Sequence, residues 1–273
     1  MLADTSISSI TTRALSGAIG IEVAGVNLSE PLDDEVFSRL HEIFLASDGV
    51  VVFPDQHITP KAQSDFSSLW GEPVVNPYLA EKHGFPGCPA VLHVDNVGKA
   101  NTPTERWHTD WIFMDEPPAI SIAAAQELPP AGGDTMWANQ YLAYERLSSG
   151  MKRMLSSLNG LFPGSQVSAK TGEKEDFLGV HPIVRTHAET GRKSLLVVHP
   201  GDSVIGFEDM TPEESRPLLD FLYDWATQPD LIYRHQWRPG DLVMWDNRCT
   251  LHYAVHDYGD EAKRTLSRVA VMV

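Results

Sequence analysis

The chain has 273 residues, 42% of them hydrophobic and 21% charged, an ordinary globular composition that can bury one substantial core. Its formal net charge of -16 at pH 7 disfavours a nucleic-acid partner, because phosphate contacts need clustered lysine and arginine. Two cysteines exclude a disulfide framework, and no run approaches the ~20 apolar residues of a membrane span. We expect one domain over residues 1–273, located in the cytoplasm, without a membrane partner.

The N-terminal part of the chain predicts short strands that alternate with helices. Apolar residues alternate from Gly17 to Leu28, which indicates one or two strands. The acidic residues at 33–35 predict the start of a helix, and Gly49–Phe53 is typical of a buried strand. Thr59 and Pro60 form a predicted N-cap and first position of a second helix.

Two stretches without clear periodicity are predicted to be loops beside the active site. Residues 72–106 contain many prolines and glycines, and only Val91 to Val94 predicts a strand there. Residues 160–180 predict a mobile surface loop and are the candidate for a lid.

The C-terminal part predicts many short strands around one longer helix. The helix is expected from Thr211 to Thr227, with a capping box formed by Thr211 and Glu214. The predicted strands are His181 to Thr186, Ser194 to Val198, Leu231 to Trp237, Leu242 to Trp245, Thr250 to Val255 and Thr265 to Val273. Many short strands with few βαβ units favour a mainly β fold with flanking helices and an antiparallel jelly-roll core.

A pair of possible metal ligands occurs in the segment that begins at Trp107. His108 and Asp110 are two residues apart, and in an extended strand they point to the same face. A partly buried carboxylate is costly, and a divalent cation relieves that cost; the alternative is a surface strand with two polar residues. With His252 the set becomes two histidines and one carboxylate, which leaves coordination positions open as in non-haem Fe(II) oxygenases. His256 is the main rival of His252.

Two arginines near the C-terminus supply a possible anion site. Arg264 and Arg268 are four residues apart in the predicted last strand, among apolar neighbours. A guanidinium in such surroundings needs an anion and suits a carboxylate, although two solvated arginines at a rim are the alternative. Beside a metal, a dicarboxylate that chelates iron at one end and meets Arg264 at the other explains the pattern better.

These residues together resemble a known signature. The pattern His108-x-Asp110, then Thr135, His252 and Arg264, is similar to that of the taurine and phenoxyacetate dioxygenase family of Fe(II)/2-oxoglutarate enzymes. The resemblance extends over nearly the whole chain, through segments that include Gly25–Leu28, Gly49–Gln56, Gly132–Thr135, Pro239–Asp241 and Trp245–Arg248. It implies a double-stranded β-helix core of the cupin-like kind and a homo-oligomer. It also implies that His108, Asp110 and His252 bind Fe(II), and that Thr135 and Arg264 bind the distal carboxylate of 2-oxoglutarate.

The resemblance also implies which residues bind the substrate. Arg268 matches the second family arginine, which meets the anionic end of the substrate in sulfonate-using members, so a carboxylate, sulfonate or sulfate ester is implied. Asn76 stands where taurine enzymes carry a substrate-binding histidine, and the nearby family tyrosine falls at Leu79 or, with a one-residue slip, at Tyr78. These two departures disfavour taurine itself. Trp111 either lines the pocket or packs in the core.

The implied reaction is hydroxylation of the substrate with O2, coupled to conversion of 2-oxoglutarate to succinate and CO2. Desaturation and oxidative cleavage of a carbon–heteroatom bond remain open. Two other classes compete: a zinc-type hydrolase with an activated water, and a non-catalytic barrel that binds an organic anion. The hydrolase leaves Thr135 and Arg264 unexplained, and a binding barrel has no need of an open coordination face.

Overall fold

The structure is a computed structural model that describes residues 9–95, 103–167, 174–259 and 261–273. In these ranges the chain is mainly β with flanking helices, which confirms the predicted fold class. The strands are β1 Thr11–Ala14, β2 Ile21–Ala24, β3 Val50–Phe53, β4 Glu72–Pro73, β5 Gly84–Phe85, β6 Cys88–Asp95, β7 Ile120–Glu127, β8 Thr135–Asn139, β9 Asn159–Val167, β10 Lys174–Pro182, β11 Val184–Thr186, β12 Lys193–Leu195, β13 Gly206–Phe207, β14 Ile232–His235, β15 Leu242–Asp246, β16 Thr250–Ala254 and β17 Thr265–Met272. Within the same ranges, no helix is both long and apolar enough to cross a membrane.

The helices of the described ranges are α1 Asp34–Ala46, α2 Pro60–Ser68, α3 Pro77–His83, α4 Gln140–Glu145, α5 Ser149–Leu155 and α6 Pro212–Ala226. Helices α1, α2 and α6 begin where the sequence predicts, whereas α3 falls in a stretch predicted to be a loop. The Thr59 hydroxyl accepts a hydrogen bond from the first turn of α2, and Thr211 and Glu214 form the predicted capping box of α6. These local hydrogen bonds satisfy amide groups that a helix cannot pair internally, which is why the sequence locates these starts well.

Two sheets form the jelly-roll core. The major sheet has the strand order β1-β2-β3-β15-β7-β17-β6-β5, with β4 also paired to β17, and the minor sheet has the order β14-β8-β16. The pairing is antiparallel except between β2 and β3. Because neighbouring strands are distant in sequence, side chains from remote parts of the chain meet between the sheets.

Alternation along the strands separates the two faces of the major sheet. On β15, Met244 points to the outer cluster beneath helices α1 and α2, whereas Val243 and Trp245 point inward. The inward residues pack with Trp137 of the minor sheet. Trp245 and Trp137 both line an interior cavity, which polar site residues also line.

The structure corrects both predicted loops. The described part of residues 72–106 contains β4, α3, β5 and β6 as well as a short 3-10 helix at Pro103–Glu105, so it is far more regular than the prolines and glycines indicate. Residues 160–180 belong largely to β9 and β10, two nine-residue strands paired as a hairpin. Residues 96–102 and 168–173 lie outside the described part, and the lid role of the second stretch stays a prediction.

Candidate metal centre

Backbone pairing brings the two predicted histidine ligands together. His252 lies in β16, opposite Trp137 of β8. His108 forms an isolated antiparallel bridge with His252. The His108 amide donates to the His252 carbonyl at 3.0 Å, and the His252 amide donates to the His108 carbonyl at 2.8 Å. As a result the imidazole ring centroids are 4.0 Å apart.

Asp110 reaches the same place by a route that the sequence did not predict. The expected extended strand through His108 and Asp110 is wrong, because the chain leaves the bridge after His108 and turns at residues 110–113. Trp111 has a φ of +50°, a left-handed conformation that ends any extended strand. The turn still carries the Asp110 carboxylate to the histidines, and one ligand atom from each of the three residues lies within 4.8 Å of the others.

The hydrogen bonds of the histidines fit a divalent metal. His108 Nδ1 lies 2.7 Å from the Arg106 carbonyl, which only accepts, so Nδ1 carries the proton and Nε2 keeps its lone pair. In the described part of the chain, His108 Nε2 is buried without a hydrogen-bond partner, and His252 Nε2 lies 3.7 Å from Asp110 Oδ1. Burial also lowers the pKa of both imidazoles, strongly so for His252, and favours the neutral form that a metal requires.

Asp110 is held as a carboxylate. Its Oδ1 accepts from Arg268 Nη1 at 2.7 Å and lies 3.7 Å from His252 Nε2, and its Oδ2 accepts from Ser121 Oγ at 2.6 Å. Burial is the largest single influence and raises the pKa of Asp110, but Arg268, together with smaller contributions from the two histidines and from the Ser121 hydrogen bond, outweighs it and holds the pKa below its ordinary value. Two imidazoles and one ionised carboxylate therefore face each other, a donor set that suits Fe(II).

Sequence reasoning missed two polar residues that support Asp110. Ser121 points inward from β7, and Asn247 follows β15 with its side chain donating to Ser121 Oγ at 3.1 Å. Asn247 also accepts from Trp245 Nε1 at 3.1 Å. The available signal was a lone serine in the apolar run Ile120–Ala125, and the motif Trp245–Arg248, to which no role was attached.

On one side of the histidines is a cavity that we call the inner chamber, which Thr135, Arg264 and Trp237 help to line. Arg264 is buried, and its guanidinium donates to the Gly133 carbonyl at 2.6 Å and to Thr135 Oγ1 at 3.1 Å. None of the ion pairs in the described ranges involves Arg264, so its charge faces the chamber without a carboxylate. A Cβ on Gly133 would lie 3.0 Å from Arg264 Cδ, which explains the glycine at this close approach.

On the other side is a wider cavity that we call the outer cleft, of 580 Å³. Its lining combines the apolar residues Trp111, Phe113 and Pro163 with the charged pair Arg106 and Asp202. His108 and Arg268 line both cavities, so the three candidate ligands lie at their junction. The cleft is built on the turn after Asp110 and on the β9–β10 hairpin, because Phe113 packs against Phe177 of β10.

Two predicted substrate residues lie elsewhere. Asn76 is the N-cap of α3, where its side chain accepts from the amides of Tyr78 and Leu79 at 3.1 Å. The Tyr78 ring lies beneath the ammonium group of Lys82. Neither Asn76 nor Tyr78 is among the described residues that line the two cavities, and their role in substrate binding stays a prediction.

The rival histidine has a different partner. His256 Nδ1 lies 3.0 Å from Glu105 Oε1, and its ring stacks on Tyr258. It does not belong to the group of three ligand atoms that meet in the interior. The structure therefore brings His252, rather than His256, to His108 and Asp110.

Comparison with known proteins agrees with this geometry. Residues 11–270 match the family described as "Taurine catabolism dioxygenase TauD, TfdA family". The chain belongs to this family. Its members are Fe(II)- and 2-oxoglutarate-dependent dioxygenases, so this TauD/TfdA protein is a non-haem iron oxidoreductase that uses Fe(II), 2-oxoglutarate and O2.

Individual relatives and structures support the assignment. An alkylsulfatase of Acinetobacter baylyi is 34% identical over 95% of this chain and 84% of its own length. An (S)-phenoxypropionate/alpha-ketoglutarate-dioxygenase of Sphingobium herbicidovorans is 34% identical over 88% of this chain and 87% of its own. The crystal structure of a taurine dioxygenase from Burkholderia xenovorans superimposes with a TM-score of 0.84 at 33% identity, covering 96% of this chain and 90% of that one.

Proposed function

We propose that this TauD/TfdA enzyme hydroxylates a small organic anion, a carboxylate, a sulfonate or a sulfate ester, and converts 2-oxoglutarate to succinate and CO2. In this proposal His108, Asp110 and His252 hold the ferrous ion, which supplies the redox chemistry that activates O2. The observation that carries the proposal is the position of these three residues at the junction of two cavities, with Arg268 lining both and Arg264 in one.

The inner chamber is assigned to 2-oxoglutarate. The Arg264 guanidinium is buried beside the Thr135 hydroxyl, and burial lowers the pKa of this arginine, so the charged form needs an anion there. Trp237 Nε1 donates to Thr135 Oγ1 at 2.9 Å and fixes that hydroxyl. A dicarboxylate whose keto-acid end lies at the histidines places its far carboxylate against Arg264 and Thr135, where bidentate hydrogen bonds form.

The outer cleft is assigned to the substrate. Arg268 lies where the cleft meets the candidate ligands. Its Nη1 group bonds to Asp110, and its other guanidinium N–H groups are assigned to the anionic head group of the substrate. Trp111 and Phe113 supply an apolar wall for the organic part of the substrate. The anionic substrate that this arrangement favours is of the same kind as those named for the alkylsulfatase and the phenoxypropionate dioxygenase.

The family membership favours the oxygenase over the zinc-type hydrolase and the non-catalytic barrel. Within the oxygenase class, hydroxylation of a carbon that bears a sulfate group gives an unstable product that releases sulfate and an aldehyde. The homo-oligomer and the cytoplasmic location stay predictions.

The test of the metal and cosubstrate assignment is spectroscopic. Fe(II) and 2-oxoglutarate added without oxygen are expected to give a weak visible charge-transfer band in the native protein and none in His252→Ala. His256→Ala is the matched control, because its imidazole pairs with Glu105 and is expected to leave the band unchanged. Absence of the band in the native protein, or its persistence in His252→Ala, contradicts the assignment.

The substrate class is tested by product release. Sulfonates, sulfate esters, aryloxy acids and amino acids are supplied with 2-oxoglutarate, Fe(II) and O2, and succinate is measured against a reaction without the added substrate. Succinate release that rises with an anionic compound supports the proposal. A response to uncharged analogues equal to that of the anions contradicts it.

A further inference from the structure

The two oxygens of the Asp110 carboxylate have different surroundings. Oδ1 lies 3.7 Å from His252 Nε2, the imidazole of a candidate ligand, and also accepts from Arg268 Nη1 at 2.7 Å, which leaves its second lone pair for a metal. Oδ2 accepts a 2.6 Å hydrogen bond from Ser121 Oγ of β7. A short hydrogen bond to an ionised carboxylate is among the stronger kinds, so Oδ2 is already engaged before any metal arrives.

Ser121 is held rigidly. It is fully buried in β7, with Trp245 of β15 opposite it on one side and Ala270 of β17 on the other. Its side chain points into the interior, on the same face as Ala123 two residues later. A serine hydroxyl at a packed central strand has little freedom to follow a carboxylate that moves.

The hydrogen bonds that join Trp245, Asn247, Ser121 and Asp110 can be assigned a donor and an acceptor at each step. Trp245 Nε1 only donates, so the atom of Asn247 that it contacts at 3.1 Å is the amide oxygen. The Asn247 Nδ2 group then donates to Ser121 Oγ at 3.1 Å and to the Pro118 carbonyl at 3.3 Å. Because Ser121 Oγ accepts from Asn247, its single proton is directed to Asp110 Oδ2.

We infer that Ser121, oriented by Asn247, is a positioning residue that keeps Asp110 a one-oxygen metal ligand by retaining Oδ2. This inference rests on the proposed role of Asp110 as a ligand. Rotation of the carboxylate to bring both oxygens to the metal breaks the bond to Ser121. Three protein atoms then leave about three of six coordination positions open, as the cosubstrate and O2 require.

Manganese(II) is the probe, because water-proton relaxation reports how many exchangeable waters a bound Mn(II) ion retains. In Ser121→Ala the released Oδ2 is expected to displace one of about three waters, so relaxivity per bound ion falls by roughly a third. Free Mn(II) is measured by electron paramagnetic resonance, so the relaxivity is expressed per bound ion. Ser121→Cys keeps the size of the side chain but donates weakly, and a smaller fall is expected.

Ser215→Ala is the matched control. Ser215 is another fully buried serine, and its hydroxyl accepts from the Phe207 amide at 3.1 Å. Loss of that hydroxyl is expected to lower the melting temperature without changing relaxivity per bound ion. A merely structural role of Ser121 predicts the same pattern for Ser121→Ala.

The outcomes separate this inference from the proposed function. A native protein that does not retain Mn(II) overturns both. A native protein that binds Mn(II), with unchanged relaxivity in Ser121→Ala, overturns the role of Ser121 alone. If Ser121→Ala does not fold, Ser121→Cys decides the question. A relaxivity per bound Mn(II) ion that is lower in Ser121→Cys than in Ser215→Ala supports the inference, and equal values in the two variants overturn it.

Discussion

The inner chamber and the outer cleft meet at the same three side chains but are built differently. The inner chamber is formed by strands of both sheets, and Arg264 is anchored there by the Gly133 carbonyl and Thr135. The outer cleft is formed by a turn, by the β9–β10 hairpin and by the segment around Asp202. Paired strands hold side chains more rigidly than turns and hairpin walls do.

This difference explains how one fold can bind the same cosubstrate while the substrate that it accepts varies. In the chamber assigned to 2-oxoglutarate, Trp237 donates to the Thr135 hydroxyl and the Gly133 carbonyl fixes the Arg264 guanidinium, which is left to meet an anion. The cleft assigned to the substrate has an apolar wall, one arginine at its inner end and a charged pair at its lining. Substitutions in the cleft do not alter the strand registers of the core, so substrate specificity can change there without disturbing the fold.

Arg264→Ala should give the largest effect of the substitutions that follow. Loss of a charge-assisted contact of about 2 to 3 kcal/mol is expected to raise the 2-oxoglutarate concentration needed for half-maximal rate roughly 100-fold. Mn(II) affinity should stay the same, because Arg264 contacts no candidate ligand. Arg264→Lys keeps the positive charge but loses the two-pronged guanidinium. Its 2-oxoglutarate requirement should therefore lie between those of the native protein and Arg264→Ala. An unchanged 2-oxoglutarate requirement in the alanine variant would remove the chamber assignment.

Arg268→Ala tests whether the outer cleft binds the anionic end of the substrate. We expect the substrate KM to rise about tenfold or more, with a smaller change in the 2-oxoglutarate requirement, since a charge-assisted hydrogen bond contributes ~1.5 to 3 kcal/mol. Steady-state kinetics with each substrate varied in turn gives both values. Arg216→Ala, which removes a surface arginine paired with Asp220, is the control. Fe(II) is supplied at saturation, because Arg268 also pairs with the candidate ligand Asp110. Under that condition, equal changes in both requirements contradict the division between chamber and cleft.

Trp111→Asn tests the apolar wall. Asparagine tolerates the left-handed backbone at this position, so the change removes the indole without forcing the turn to refold. The preference between a bulky and a small anionic substrate should shift about fivefold, and the 2-oxoglutarate requirement should not. Competition experiments give the ratio directly, and Phe221→Ala on the exposed face of α6 serves as the control. If the preference between the bulky and the small substrate does not shift, Trp111 packs in the protein without contacting the substrate.

The smallest expected effect concerns pH. Burial lowers the pKa of His108 and His252, so both imidazoles stay neutral below the ordinary value of about 6.5. Mn(II) affinity, measured by titration, should therefore change less than about twofold between pH 7.5 and 6.5. A free histidine pair would already be losing its lone pairs at the lower pH. A fall of about threefold or more over this interval, the value for two histidines with the ordinary pKa, would mean that the ligands are more exposed than the interior shared by chamber and cleft allows.

Local signals in the sequence located what depends on neighbours in the chain. Thr59 and Thr211 cap the helices that follow them, as predicted, because each bond spans only three residues. The hairpin of residues 159–182 escaped prediction, since β9 and β10 contain Gly164 and Gly179 at positions where a Cβ would collide with Phe113 or with the Ile112 carbonyl. These glycines read as loop residues in the sequence but are contact residues in the fold.

By itself, the sequence predicted the mainly β class. Its residue types and spacing, together with the family resemblance, named His108, Asp110, His252, Thr135 and Arg264 as the candidate site residues. Tertiary structure alone decided how they meet. It replaced the expected strand at Asp110 by a turn, brought His108 to His252 through two backbone hydrogen bonds, and supplied Ser121 and Asn247 as supports of the carboxylate. The reason is physical: the side-chain contacts join residues more than 100 positions apart or lie across a turn, and only the pairing of the strands sets those distances.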